Sequence, residues 1–261
     1  EEIPVSLEGN SDSFRMKLSF LPNGNCVILP NINGRGYGFF KITEGESSGL
    51  WSVLRSSEDE VLKGSLLITL YENLRWKTIS PQGFREEMLA YLPNESNSLL
   101  FSMALGYLGE CQRMFPSDSC PLEEALWKIV TTNPVSQHRL QAFRLYRSIA
   151  DSEEAVQRLY TLWQERKAPK DCTLSESDYI GLSYMLAMHL PEKADKIIAT
   201  QLSRIQNPDR KKEYQFISPS VSPRKAERDS VFASLLIAGN RRVEPWASSA
   251  LANLNHRLRE Q

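Results

Sequence analysis

The spacing of apolar residues changes once along this chain, near position 80. Before it, short runs rich in β-branched and aromatic residues alternate with turn signals. The runs are Cys26 to Leu29, Tyr37 to Ile42 and Leu66 to Tyr71. The turn signals are Pro22-Asn23-Gly24, Asn33-Gly34 and the stretch from Gly45 to Gly49. Asn33-Gly34 between two apolar runs is a two-residue hairpin signal, because both residue types tolerate positive φ. The pattern predicts an antiparallel β-sandwich over residues 1–80, small enough to be marginal if it folded alone.

From Pro81 glycine becomes scarce and apolar residues recur at three and four, which predicts α-helices over residues 81–261. Asn97 to Phe115 places Leu100, Phe101, Ala104, Leu105 and Leu108 on one helical face. Asn133-Pro134 reads as a cap followed by a first-turn proline, opening a helix with Leu140, Phe143 and Ile149. Asp151-Ser-Glu-Glu154 has the spacing of a capping box and precedes Val156, Leu159, Tyr160 and Trp163. Ser175-Glu-Ser-Asp178 opens the next helix, through Ile180, Leu182 and Met185 to Leu190, and Pro191 starts another. Ser222-Pro223 opens one with Val231, Phe232, Leu235 and Leu236, which Gly239 is placed to close. Connections this short force antiparallel neighbours, and helix pairs recur about every ~35 residues. The expectation is therefore two domains, a sandwich followed by a HEAT-like α-α superhelical array.

Composition narrows the function classes. The 261 residues are 41% hydrophobic and 24% charged, as in an ordinary globular protein. A net charge of −1 argues against a dedicated nucleic-acid binder or a membrane-surface protein. No apolar stretch approaches the ~18 residues that cross a bilayer. The opening EEIPVSLEGN has neither the basic start nor the apolar run of a secretory signal. It opens on what reads as a strand, as a chain cut from a longer one would. Charge is uneven along the chain. From Arg204 onward there are eleven bases and six acids, a surplus of +5 that leaves −6 for the rest. A basic concave surface of this kind suits an acidic partner or a peptide carboxylate, since arginine grips a carboxylate with two parallel hydrogen bonds. A solvated face with interleaved acids is the plainer reading.

Motifs for chemistry are scarce. Cys26, Cys111, Cys120 and Cys172 form no C-x-x-C pair, so zinc-ribbon and thioredoxin patterns are missing. They read as small buried hydrophobes, and a Cys111–Cys120 bridge would need an oxidising compartment. None of His138, His189 and His256 has a second histidine four residues away, which H-E-x-x-H requires to put two imidazoles on one helix face. His189 sits in an apolar helix and reads as a core histidine. Gly45-Glu-Ser47-Ser-Gly49 fits G-x-S-x-G, the serine nucleophile elbow. The elbow needs a buried parallel strand before it and a helix after it, and an antiparallel surrounding makes the segment a polar loop. Gly34-Arg-Gly36-Tyr-Gly38 lacks the last glycine of G-x-G-x-x-G, so it reads as a tight turn or a close backbone approach.

Three stretches carry a resemblance. Leu29-Pro-Asn-Ile-Asn-Gly-Arg-Gly-Tyr-Gly-Phe-Phe40 resembles the LPN-x-x-G-x-GY segment in the small β-sandwich domain of aminopeptidase N-type zinc metallopeptidases. Val243-Glu-Pro-Trp246 through Ala250-Leu251, Leu254 and His256 to Arg259 is similar to a stretch near that family's C-terminal end. Asn207-Pro-Asp-Arg210 with Phe216-Ile-Ser-Pro219 looks like a segment of its helical domain. The resemblance implies a sandwich followed by helices, without the N-terminal β domain and the thermolysin-like domain that hold the zinc. No zinc ligand, general base or G-x-M-E-N loop has a matching position here, so no catalytic residue and no cofactor is expected in this chain. What it implies is a helical domain that covers the active-site cleft and limits which peptides enter. Its partners would be the missing domains of the same polypeptide and peptide substrates. Arg210, Arg224 and Arg228 are the candidate contacts to substrate or to a neighbouring domain. The alternative is a free-standing helical-repeat module that binds a peptide or protein on its concave face.

Overall fold

The computed structural model describes residues 28–31, 34, 36, 38–117 and 119–259. Among them all regular structure is helical, with no strand, and this overturns the β-sandwich. Two helices occupy the region assigned to it, α1 (Glu44–Ser56) and α2 (Glu60–Arg75). Thr43 and Glu46 form a reciprocal capping box at the start of α1, which runs through the Gly45 to Gly49 stretch read as a turn. Asp59 caps α2 by accepting from Val61 and Leu62 N–H groups. The run Leu66 to Tyr71, expected as a strand, is mid-helix, where Leu66, Leu67, Leu70 and Leu74 are buried at helical spacing. Asn33 and Cys26 lie outside the described residues. The described parts of their flanking runs, Ile28, Leu29 and Gly38 to Ile42, form no strand.

The segment before α1 is held on α2 by side chains. Asn73 is fully buried; its Oδ1 accepts the Ile42 N–H at 2.9 Å and its Nδ2 donates to the Phe40 carbonyl at 2.8 Å. Ser65 Oγ donates to the Asn31 carbonyl at 2.6 Å. The glycine run meets the expectation of a tight approach. Asn31 clasps the Gly36 backbone from both sides, and a Cβ on Gly36 would come within 2.9 Å of Asn31 Oδ1.

Ten helices follow: α3 (Pro81–Tyr91), α4 (Ser98–Met114), α5 (Cys120–Thr132), α6 (Ser136–Ile149), α7 (Glu153–Glu165), α8 (Glu176–His189), α9 (Ala194–Arg204), α10 (Pro208–Ile217), α11 (Lys225–Ser234) and α12 (Glu244–Leu254). Helices α2, α4, α6 and α8 pack in succession as one row. Each is flanked by a sequence neighbour: α1 on α2, α3 on α4, α5 on α6, α9 on α8. This is the stacked-pair arrangement of a helical array. One apolar core runs through it from Ile42 to Val221 and crosses position 81, where Trp51 meets the edge of Phe84 at 5.6 Å. A small second core joins Leu235, Ala247 and Ala250 with Phe216 and Val231.

Most expected helices are present with shifted ends. Ser175 and Asp178 form a real capping box, whereas Ser152 caps α7 alone, accepting from Ala155 N–H. Its partner is instead the buried Glu123, which accepts the Asp151 and Ser152 amides at 2.7 and 3.2 Å. Helix α11 ends at Ser234, so Gly239 does not close it and lies in a short 3-10 turn. Of the four apolar residues assigned to that helix, Phe232 and Leu236 are exposed. Cys111 is buried with its thiol pushed up by burial, Cys172 is half-buried, and Cys120 opens α5 at the surface. No helix of the described residues is long and apolar enough to cross a membrane.

Candidate functional site

The basic C-terminal end is built on a 3-10 turn, Ser218–Val221, that follows α10 directly. Asn207 starts α10 by accepting from the Asp209 and Arg210 amides, and Pro208 occupies the first turn, where its missing N–H costs nothing. Helix α12 then packs over the turn. Asn253 donates to Ser220 Oγ at 3.0 Å, Ser220 donates to the Ile217 carbonyl at 2.7 Å, and the Phe216 and Trp246 rings stand 5.8 Å apart. The segments Asn207–Pro219 and Val243–Arg259 thus form one packed unit.

The three candidate arginines fare differently within it. Arg224 donates to both oxygens of Asp195 at 2.8 and 2.9 Å and also pairs with Glu227, so its charge is neutralised at the surface. Arg210 stands 3.6 Å from Glu176. Arg228 pairs with no acid among the described residues. Its Nη1 donates to the Ser222 and Pro223 carbonyls at 2.8 and 2.9 Å. A fourth arginine, missed by the sequence reading, joins it. Arg259 ends a terminal 3-10 turn (Arg257–Arg259) and donates from Nη2 to the Val221 carbonyl at 2.9 Å. Three successive carbonyls therefore carry two guanidinium groups. Burial and the neighbouring Arg228 charge both push the Arg259 pKa down. Among the described residues the Arg259 Nε–H is buried without an acceptor, a state that costs ~1–3 kcal/mol. Only the local surplus of bases after Arg204 pointed here from sequence.

The same end is tied back to the middle of the array. Arg257 pairs with Asp151 at the corner between α6 and α7. His189, at the end of α8, lies 4.0 Å from Asp151, and burial holds its pKa down at about 4. It is neutral near pH 7, the core histidine that its apolar helix suggests. His138 is fully buried, stacked on Phe101 at 4.0 Å, with Nε2 hydrogen-bonded to Ser98 Oγ at 3.0 Å. Among the described residues no three His, Cys, Asp or Glu side chains gather where a metal could be held. Ser47 lies within α1 and donates to the Glu44 carbonyl at 2.7 Å, so the strand-turn-helix geometry of a nucleophile elbow is absent.

Exposed apolar side chains occur at both ends of the described array. Val61, Ile68, Trp76 and Leu99 are exposed near its start, and Phe232, Leu236, Ile237 and Val243 near its close. Compared with protein families, with curated proteins and with solved structures, the chain matches none.

Proposed function

We propose that this chain is the non-catalytic rear part of a zinc aminopeptidase, a wall of helices that covers the active-site cleft and limits which peptides reach it. Chemistry at such a site needs a metal-activated water. Selection by size needs only a rigid boundary, which an array of packed helix pairs supplies. On this reading the zinc belongs to other domains of the same polypeptide, and those domains and the peptide substrates are the partners.

One observation carries the proposal. The two helical segments that resemble this peptidase family, Asn207–Pro219 and Val243–Arg259, pack against each other through Phe216–Trp246, and Ser220, just after the first segment, accepts from Asn253. The exposed Val61, Ile68, Trp76 and Leu99 also support it, because an apolar surface of this kind is a place for another domain to pack. The Leu29–Phe40 resemblance lends less, since the described residues there form a loop docked on α2 and no sandwich.

The test is the reading frame upstream of Glu1 in the genome. The proposal expects an in-frame H-E-x-x-H followed by a downstream glutamate ligand. An upstream frame without that motif, or a start codon directly before this sequence, would sink it.

A further inference from the structure

We infer that Arg228 and Arg259 form a binding site for a small oxyanion, a carboxylate or a phosphate, at the C-terminal end of the array. The inference concerns this chain by itself and stands whether or not the peptidase reading holds.

The argument is one of unmatched donors. Each guanidinium offers five N–H groups in a planar fork suited to two parallel bonds with an oxyanion. Arg228 spends Nη1 on the Ser222 and Pro223 carbonyls, and Arg259 spends Nη2 on the Val221 carbonyl. The remaining edges of both groups have no protein acceptor among the described residues, and Arg259 Nε is shut off from water as well. Carbonyls orient the two cations without cancelling either charge. Asp195 and Glu227 are both engaged by Arg224, and no acid among the described residues forms an ion pair with Arg228 or Arg259. Two like charges held on adjacent carbonyls repel each other, and an anion bound by their open edges would relieve that repulsion.

The turn is braced for such a role. Ser220 is fully buried and fixed through Ile217 and Asn253, so the carbonyls that aim Arg228 and Arg259 are held by the main packing. Arg257 anchors the terminal turn to Asp151 on the other side. The two arginines are thus held on a braced turn, with no acid among the described residues to neutralise them.

The experiment is calorimetric titration of the whole chain with inorganic phosphate and, separately, with N-acetylglycine. Saturable one-to-one binding is expected for at least one of the two. It should weaken at least tenfold in both Arg259→Gln and Arg228→Lys, and remain unchanged in Arg224→Gln, whose charge is already paired. Arg228→Lys keeps a cation on the carbonyls, so it guards against a variant that fails to fold. Stronger binding of phosphate assigns a phosphorylated ligand, and stronger binding of N-acetylglycine assigns a carboxylate such as a peptide end. No saturable binding of either probe overturns the inference. So does equal weakening by Arg224→Gln, which would mean a diffuse response to surface charge. Binding that emerges only in Glu260→Gln overturns it too, since the chain's own carboxylate would then be the occupant.

Discussion

Arg257 and Asp151 are separated by 106 positions in sequence, yet they pair through two contacts, Nη1 to Oδ2 at 3.0 Å and Nη2 to Oδ1 at 2.9 Å. The pair ties the last described turn to the corner between α6 and α7, so the C-terminal end is clasped to the middle of the array. Both side chains are partly exposed, and exposed pairs contribute little, ~0–1 kcal/mol. Asp151→Asn should therefore lower global stability by no more than ~1 kcal/mol in urea denaturation. Amide exchange at Arg257 to Arg259 should nonetheless quicken while α4 and α6 stay protected. Unchanged exchange in the terminal turn would contradict the clasp.

Asn73 should matter far more. Its amide satisfies the Ile42 N–H and the Phe40 carbonyl while accepting from Thr78 Oγ1 at 2.6 Å. Asn73→Ala leaves buried main-chain groups without partners and should cost ~2–4 kcal/mol. Urea denaturation followed by tryptophan fluorescence, with Trp51 nearby in the same core, reads the loss directly. A cost below ~0.5 kcal/mol would mean that residues 40–42 are not docked on α2.

Gly45 separates the helical reading from the discarded sandwich. It lies in the first turn of α1, and a Cβ there meets nothing within 4 Å. Gly45→Ala should stabilise by up to ~1 kcal/mol, because alanine loses less backbone entropy in a helix. At a turn that needed positive φ the same change would destabilise. The sign of the shift in thermal midpoint decides between them.

His189 makes stability depend on acid. Burial lowers its pKa to about 4 from 6.5, so the unfolded chain binds the proton more readily between those values. Its contribution is complete above the unfolded value and is lost as pH falls from about 6.5 towards 4, by about 3 kcal/mol at most. The pKa of His138, also lowered by burial, acts in the same direction. His189→Gln should flatten the fall between pH 6.5 and 4 in denaturation midpoints. A slope identical to that of the unmodified chain would show that His189 does not titrate as its burial requires.

The helices after position 81 were legible because their caps and apolar spacing agree: Ser175 with Asp178, and Leu100 through Leu108 on one buried face. The first two were not. Helix α2 carries apolar residues on more than one side, with Ile68 exposed and Leu66, Leu67 and Leu70 buried, so its short runs resemble strands. In α1 the two glycines masked a capping box that Thr43 and Glu46 had already spelled out. Tertiary burial of Leu50, Trp51 and Leu54 overrides the weak local preference. At the basic end, sequence located the surplus charge but not its arrangement. Arg224 proved to be paired with an acid and Arg259 to rest on a carbonyl, because those outcomes depend on Asp195 and Val221, which only the fold brings close.

The most direct test of the central claim is turnover of aminoacyl arylamides, with metal analysis of the same preparation, on this chain and on the longer polypeptide that the proposal expects its whole reading frame to encode. The account predicts no turnover and no bound zinc for the 261-residue chain, and turnover with one equivalent of zinc for the longer polypeptide. Turnover with stoichiometric zinc in the 261-residue chain would contradict it, as would a longer polypeptide that binds no zinc and releases no arylamine.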